Sequence, residues 1–290
     1  MQPKLSPIVA GVWRLGEWRL DAQGLARWIE QAIELGLTSF DHADVYGGYR
    51  AEAAFGDALA TAPGLRERMQ LVTKCGIKLI SPARPAHAIK SYDSSRTHVI
   101  ASVENSLRAL RTDRIDLLLI HRPDLLADPD ELAATFEVLR AAGKVLHFGV
   151  SNHSPSQFAL LHQRIALATN QIEFSPLHLG ALADGTLEQA LDLKLSPMIW
   201  SPLAGGRLMS GQDEQAQRVR TVLEALGRER GVSVATMAYA WIRRHPSKPI
   251  LITGSSRVEA LREAVAALDI TLSAEEWYLV WQASMGREVA

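Results

Sequence analysis

Eight short apolar runs recur along this chain of 290 residues, and segments with helical spacing lie between most of them. The runs are Ile8 to Val12, the stretch ending on Asp41, Met69 to Lys74, Ile115 to Ile120, Val145 to Val150, Thr169 to Phe174, Pro197 to Trp200 and Pro249 to Ile252. Between the first two, Leu25, Trp28, Ile29, Ala32 and Ile33 share one helical face. Asp21 stands at its N-cap and Gly36 just past its end. The same rhythm follows: Ala51 to Ala60 stopped by Pro63-Gly64, then Val99, Val103, Leu107 and Leu110 on one face. Asp128-Pro129 opens another helix that Gly143 ends, and Ser154 to Gln157 is a capping-box start. Ile77 to Asp93, with Pro82 and Pro85, reads as a long loop. Two helices near Glu214 to Arg230 and Val234 to Arg244 precede the last strand. A helix over about Arg257 to Leu268 follows it, and Ser273 to Glu276 caps a final helix carrying Trp277 and Trp281. Alternation of this kind implies parallel strands joined by right-handed crossovers. Eight such units close into a (β/α)8 TIM barrel, here with an additional C-terminal helix and long rim loops, as a single domain over residues 1–290. A doubly wound open sheet is the alternative, but no strand is followed by G-x-G-x-x-G.

The composition agrees with a soluble globular chain: 47% hydrophobic, 22% charged, net charge −1. A chain of this length buries roughly three quarters of its unfolded surface. A charge so near zero supports neither nucleic acid nor an anionic membrane as partner. The single cysteine, Cys75, leaves no partner for an intramolecular disulfide and fits a reducing, cytoplasmic setting. No signal peptide and no membrane span are expected.

In such barrels the chemistry sits at the C-terminal ends of the strands. Asp41 ends the second strand in T-S-F-D-H-A-D-V-Y-G-G-Y, Lys74 ends the third in V-T-K-C-G, and His121 ends the fourth in L-L-L-I-H-R-P. Ser151 and Asn152 end the fifth, Gln171 and Glu173 lie on the sixth, and Trp200 and Ser201 end the seventh. A buried carboxylate is costly unless a cation or donors meet it, so Asp41 calls for Lys74. Each residue alone has an ordinary structural explanation. Three in register on consecutive strands, with Tyr46 five residues past Asp41, point to a site.

That set suits donating a proton to an oxygen that becomes an alkoxide. Tyr46 has an unperturbed pKa of about 10. An ammonium about 4 Å away contributes roughly 4 kcal/mol at an effective dielectric near 20. Desolvation opposes it, so a net fall of about one to three pH units is expected for Tyr46. Asp41 would keep Lys74 charged, and His121 would donate to a carbonyl oxygen.

These motifs, with F-G-V-S-N, N-Q-I-E, W-S-P-L and I-T-G-S-S-R further on, resemble those of the aldo-keto reductases over nearly the full length, in the version of a bacterial oxidoreductase subgroup. The resemblance implies a metal-free, NADPH-dependent reductase of aldehydes or ketones, with NADH as a second possible cofactor. Tyr46 would be the general acid, tuned by Lys74 and Asp41, with His121 placing the carbonyl. Ser151, Asn152 and Gln171 would hold the nicotinamide carboxamide, and Trp200 would stack on its ring, where relatives usually carry tyrosine. Ser201, Leu203 and Gly205 would follow the pyrophosphate. Gly254, Ser255 and Arg257 would meet the adenosine phosphate, and Gly254 stands where many relatives carry lysine. Arg257, or failing that Arg262, would face a 2′-phosphate. Trp13 and Tyr49 are expected in an apolar substrate pocket, and the protein is expected to act as a monomer.

Two other functions use the same residues. A non-catalytic nicotinamide-binding sensor would keep the cofactor site, but all four catalytic-type residues stand here. A metal-dependent barrel hydrolase would need ligands from Asp41, His42, Asp44 and His121. Residues 41 and 42 point to opposite faces of a strand, and no H-x-H is present.

Overall fold

In the computed structural model, which describes residues 3–289, eight parallel strands close into a barrel. The chain forms two compact units. One comprises the residues up to Gln171 with Gly254–Ser256, the other Ile172–Thr253 and the residues from Arg257 on.

The first unit runs β1 (Ile8–Gly11), α1 (Ala22–Glu34), β2 (Ser39–Asp41), α2 (Ala51–Thr61), β3 (Gln70–Cys75), β4 (Ile77–Lys78), β5 (Ser91–Tyr92), α3 (Arg96–Ala109), β6 (Ile115–Ile120), α4 (Pro129–Ala141), β7 (Val145–Ser151), α5 (Pro155–His162) and the start of β8 (Asn170–Glu173). Its barrel strands are buried almost throughout, as parallel strands covered by helices must be. Register steps the strands in even numbers of residues: Gly11 pairs with Asp41, Asp41 with Val72 two residues before Lys74, Lys74 with Leu119 two before His121, and Ser151 with Gln171. The helices start where short polar side chains satisfy free amides. Asp21 accepts from the Gly24 amide, Ser95 from that of His98, and Asp128 from those of Asp130 and Glu131. Ser154 and Gln157 form a reciprocal capping box. Each such cap contributes about 1 kcal/mol. Helices α2 and α3 approach so closely at Gly56 that a Cβ there would lie 2.0 Å from the Ala109 carbonyl oxygen.

The expected loop from Ile77 to Asp93 is not wholly irregular. β4 and β5 pair antiparallel across it, Ile77 with Tyr92 and Lys78 with Ser91. Strands of two residues are too short to show a period, so no sequence pattern marked them.

The second unit holds α6 (Thr186–Asp192), β9 (Met198–Trp200), α7 (Arg207–Ser210), α8 (Glu214–Arg230), α9 (Val234–Arg243), β10 (Ile250–Thr253), α10 (Val258–Ala266) and α11 (Ala274–Met285). The tryptophans of α11 have a packing role. The Trp241 and Trp277 rings stack 5.0 Å apart and 7° from parallel. Each indole N–H donates to the other residue's carbonyl, at 2.9 and 3.0 Å. The expected helix from Arg257 begins one residue later, and a 3-10 turn over Ala267–Asp269 ends it. Among the described residues, no helix is long and apolar enough to cross a membrane.

Candidate active site

Strands β2, β3 and β6 deliver three of the expected residues. Asp41 ends β2, Lys74 is the penultimate residue of β3, and His121 follows the last residue of β6. Lys74 Nζ donates to Asp41 Oδ2 at 2.7 Å, to the His42 carbonyl at 2.7 Å and to Tyr46 Oη at 3.0 Å. Lys74 is wholly buried and Asp41 nearly so. The other Asp41 oxygen accepts from Gln171 Nε2 at 2.7 Å. Both partners of the ion pair are therefore hydrogen-bonded, which is the condition for keeping such a pair inside a protein. The turn after β2 is tied to β3 by the Asp44 amide, which donates to the Lys74 carbonyl at 3.0 Å. The His121 amide donates to the Cys75 carbonyl at 2.9 Å. Tyr46 and His121 meet edge to face with ring centroids 5.9 Å apart.

Electrostatics assign a protonation state to each group. Burial alone would lower the Lys74 pKa, but Asp41 and Tyr46 outweigh it and leave the ammonium more firmly charged than a free lysine. Burial is also the largest influence on Tyr46, and it raises the phenol above 10; Lys74 pulls it down and Asp41 pushes it up. This overturns the expected fall. Desolvation of a phenolate exceeds the pull of an ammonium whose field Asp41 partly cancels. Burial holds His121 well below the ordinary histidine value, and Lys74, Arg122 and Lys90 reinforce that. His121 is thus a neutral imidazole near neutral pH, and its buried Nδ1 has no hydrogen-bond partner. His42 stands edge-on to Phe55 at 4.4 Å, and burial lowers its pKa to about 3. Among the described residues, no three His, Cys, Asp or Glu side chains are placed to hold a metal ion.

The residues expected to meet a nicotinamide carboxamide form a polar chain. Asn152 Nδ2 donates to Ser151 Oγ at 2.7 Å, and Ser151 Oγ donates to the Gln171 carbonyl at 2.9 Å. Asn152 has a left-handed backbone, φ 58°. In the second unit, Trp200 ends β9 and is partly buried. The segment after it turns left-handed at Ser201, Ala204, Gly205 and Gly206, with φ of 51°, 52°, 65° and 103°. Such conformations cost about 1–3 kcal/mol at side-chain-bearing residues and cluster at ligand clamps. Leu203 precedes the three consecutive left-handed residues. Arg257 is the N-cap of α10 and makes no side-chain cap, unlike the Asp and Ser residues that open α8, α9 and α11. Uncapped first-turn amides suit an anionic oxygen. Each set by itself suits part of a dinucleotide: the amide and hydroxyl groups of the first unit suit a carboxamide, and the left-handed segment and the helix start of the second suit phosphate oxygens.

Trp13 is largely exposed, with the Arg14 guanidinium 5.1 Å from its ring centre. Tyr49 is partly buried and its hydroxyl accepts from the Leu79 amide at 2.9 Å. Glu52 is a buried acid that the sequence reading missed, and Asp44, weighed there only as a metal ligand, is buried as well. Glu52 accepts from Thr73 Oγ1 at 2.6 Å and Ser106 Oγ at 2.9 Å. Burial raises the pKa of both Glu52 and Asp44. The signal for Glu52 was available: it shares the face of α2 that carries Phe55 and Leu59, where a carboxylate needs partners.

The chain belongs to the aldo/keto reductase family, whose model matches residues 7–284. It is 48% identical over 290 residues to Oxidoreductase YdhF of Escherichia coli (strain K12), covering 99% of this chain and 96% of that one. It is 41% identical over 293 residues to a 6-dehydroglucose reductase of Agrobacterium fabrum, covering 99% and 97%. Among solved structures, a glycerol dehydrogenase from Gluconobacter oxydans superposes with a TM-score of 0.84 at 26% identity, over 96% of this chain and 91% of that one. An aldo-keto reductase from Klebsiella pneumoniae in complex with NADPH superposes with a TM-score of 0.77 at 30% identity, over 97% and 94%. The protein is accordingly an NAD(P)H-dependent oxidoreductase.

Proposed function

We propose that this protein reduces an aldehyde or ketone to an alcohol with NADPH, and that Tyr46 is its general acid. The observation that carries the reading is the Tyr46 hydroxyl held 3.0 Å from a buried ammonium and beside a neutral imidazole. The crystal structure of a Klebsiella relative with NADPH supports the cofactor. When bound, the reduced nicotinamide supplies the hydride. Tyr46 gives its proton to the carbonyl oxygen, and a raised pKa keeps that proton available throughout neutral pH. Lys74 donates to the tyrosine oxygen, so the charge left there is met by an ammonium already in place. Asp41 balances Lys74, and Gln171 holds Asp41. Neutral His121 orients the carbonyl by donating to it. Ser151, Asn152 and Gln171 hold the carboxamide, and Trp200 offers an indole face to the ring. The backbone around Ser201, Leu203 and Gly205 takes the pyrophosphate, and Gly254, Ser255 and Arg257 take the adenosine phosphate. NADH remains a weaker substitute, because Arg257 has no 2′-phosphate to meet in it. Trp13 and the segment anchored by Tyr49 border an apolar carbonyl substrate, and one chain acting as a monomer suffices.

Tyr46→Phe removes the proton and little else. We expect turnover with a carbonyl substrate to fall at least 100-fold. Quenching of tryptophan fluorescence by NADPH should still saturate at a similar concentration. Turnover within threefold of the native protein would show that Tyr46 is not the acid.

A further inference from the structure

The hairpin formed by β4 and β5 is fastened at both ends to the loops that carry Tyr46 and His121. At one end the turn after Tyr46 is left-handed at Gly47, Gly48 and Tyr49, with φ of 58°, 65° and 70°. A tyrosine adopts that conformation only when its surroundings hold it there. Here the surroundings belong largely to the hairpin. The Tyr49 ring packs against the cluster of Ala43, Val45 and Ile77, which Leu79 also joins. The Arg84 guanidinium lies 4.7 Å over its centre. Its hydroxyl accepts from the Leu79 amide at 2.9 Å, and His87 Nδ1 lies 3.0 Å from the Leu79 carbonyl, to which only an N–H can donate. At the other end, Asp124 accepts from the Ser94 amide at 2.8 Å through one oxygen and from the Leu126 amide at 3.0 Å through the other. Ser94 is two residues past β5, and Asp124 is three past His121.

We infer that Tyr49 and Asp124 are positioning residues: they clamp the hairpin across the loops of Tyr46 and His121, and thereby set the affinity for the carbonyl substrate. This rests on the reading of Tyr46 and His121 as the groups that meet the carbonyl. A hydroxyl bonded to a backbone amide of the hairpin acts on substrate through that hairpin. Loosening either clamp widens the range of hairpin positions, and the fraction of molecules ready to accept substrate falls with it. Cofactor residues lie on other strands, so NADPH affinity should not follow.

The test uses the full chain and two variants, Tyr49→Phe and Asp124→Ala. The first keeps the ring in its apolar cluster and removes only the hydroxyl. Amide hydrogen exchange at Leu79 should quicken at least tenfold in Tyr49→Phe, and at Ser94 in Asp124→Ala. The KM for a reducible aldehyde should rise at least fivefold in each, with kcat lowered less than threefold and the NADPH dissociation constant within twofold. Combined, the two should raise KM by less than the product of the single effects, because both release one body. Faster exchange with an unmoved KM would overturn the inference, and so would a raised KM with unmoved exchange, which would make Tyr49 a direct substrate contact. Complete absence of NADPH-dependent carbonyl turnover in the native protein would instead overturn the reading of the site on which the inference rests.

Discussion

At the scale of single residues, burial decides more than proximity. Tyr46 touches an ammonium and still has a raised pKa, because the cost of a buried phenolate outweighs the attraction. The consequence for catalysis has a definite sign. In the proposed mechanism reduction needs Tyr46 protonated and His121 neutral, the first true below a pKa that lies above 10, the second above a pKa well below 6.5. Carbonyl reduction should therefore show a flat kcat between about pH 6.5 and 9, with loss only on either side. A limb centred between about 7 and 9 in steady-state rates would show that Tyr46 titrates there after all. His42 offers a separate test. Both ring nitrogens lack hydrogen-bond partners, and the folded pKa is lowered to about 3 from 6.5. Between those values the unfolded chain holds a proton on His42 that the folded protein does not, so stability falls as the pH falls through the window. The full contribution is up to about 5 kcal/mol, accumulating at about 1.4 kcal/mol per pH unit. His42→Leu should leave urea stability at pH 7 within about 1 kcal/mol, because an apolar side chain loses no satisfied bond. The same variant should flatten the decline between pH 6.5 and 4. His153, whose pKa burial lowers to about 4, keeps a smaller decline in place. An unchanged slope would show that His42 takes up a proton in the folded state.

At the scale of elements, the sequence was legible wherever a period or a cap was long enough to be seen. The eight barrel strands and the helices capped by Asp21, Asp128, Ser154 and Ser273 stand within a residue or two of their sequence readings. Asp41, Lys74 and His121 could be brought together from sequence because parallel strands in a barrel share one rim, and the register offsets them by two residues per strand, which keeps them on one face. Elements below that length were not visible: the two-residue strands β4 and β5, the four-residue α7 and the seven-residue α6. Contacts between elements were equally hidden. Tyr49 read as a pocket aromatic, and nothing in the sequence says that its hydroxyl meets the Leu79 amide thirty residues on. Gly56 is the sharpest case. In an isolated helix, glycine to alanine favours the helix by about 0.5–1 kcal/mol. Here the added methyl carbon would lie 2.0 Å from the Ala109 carbonyl oxygen, which is backbone and cannot swing aside. Overpacking of that kind costs about 1–3 kcal/mol or more. Gly56→Ala should lower the free energy of unfolding by at least about 1 kcal/mol in urea titration. A more stable variant would mean that α2 and α3 separate freely.

At the scale of the whole molecule, charge and ligand are linked through what is not there. A net charge of −1 gives the chain as a whole no net attraction for an anionic dinucleotide at a distance. Affinity for NADPH then rests on short-range contacts, of which the proposed one between Arg257 and a phosphate is an example, and raising the salt should weaken it only modestly. Binding to the folded chain alone must also appear as stability, whichever residues make the contacts. At one hundred times its dissociation constant NADPH should raise the free energy of unfolding by about 2.7 kcal/mol, and at a thousand times by about 4.1 kcal/mol. Calorimetry or thermal melts over a concentration series measure this with no substrate in hand. NADH at equal concentration should give a smaller shift, since it lacks the phosphate that Arg257 is proposed to meet. A melting temperature indifferent to both dinucleotides would mean that the folded chain binds neither, and the assignment of Ser151, Asn152, Gln171 and Trp200 to cofactor would fall with it.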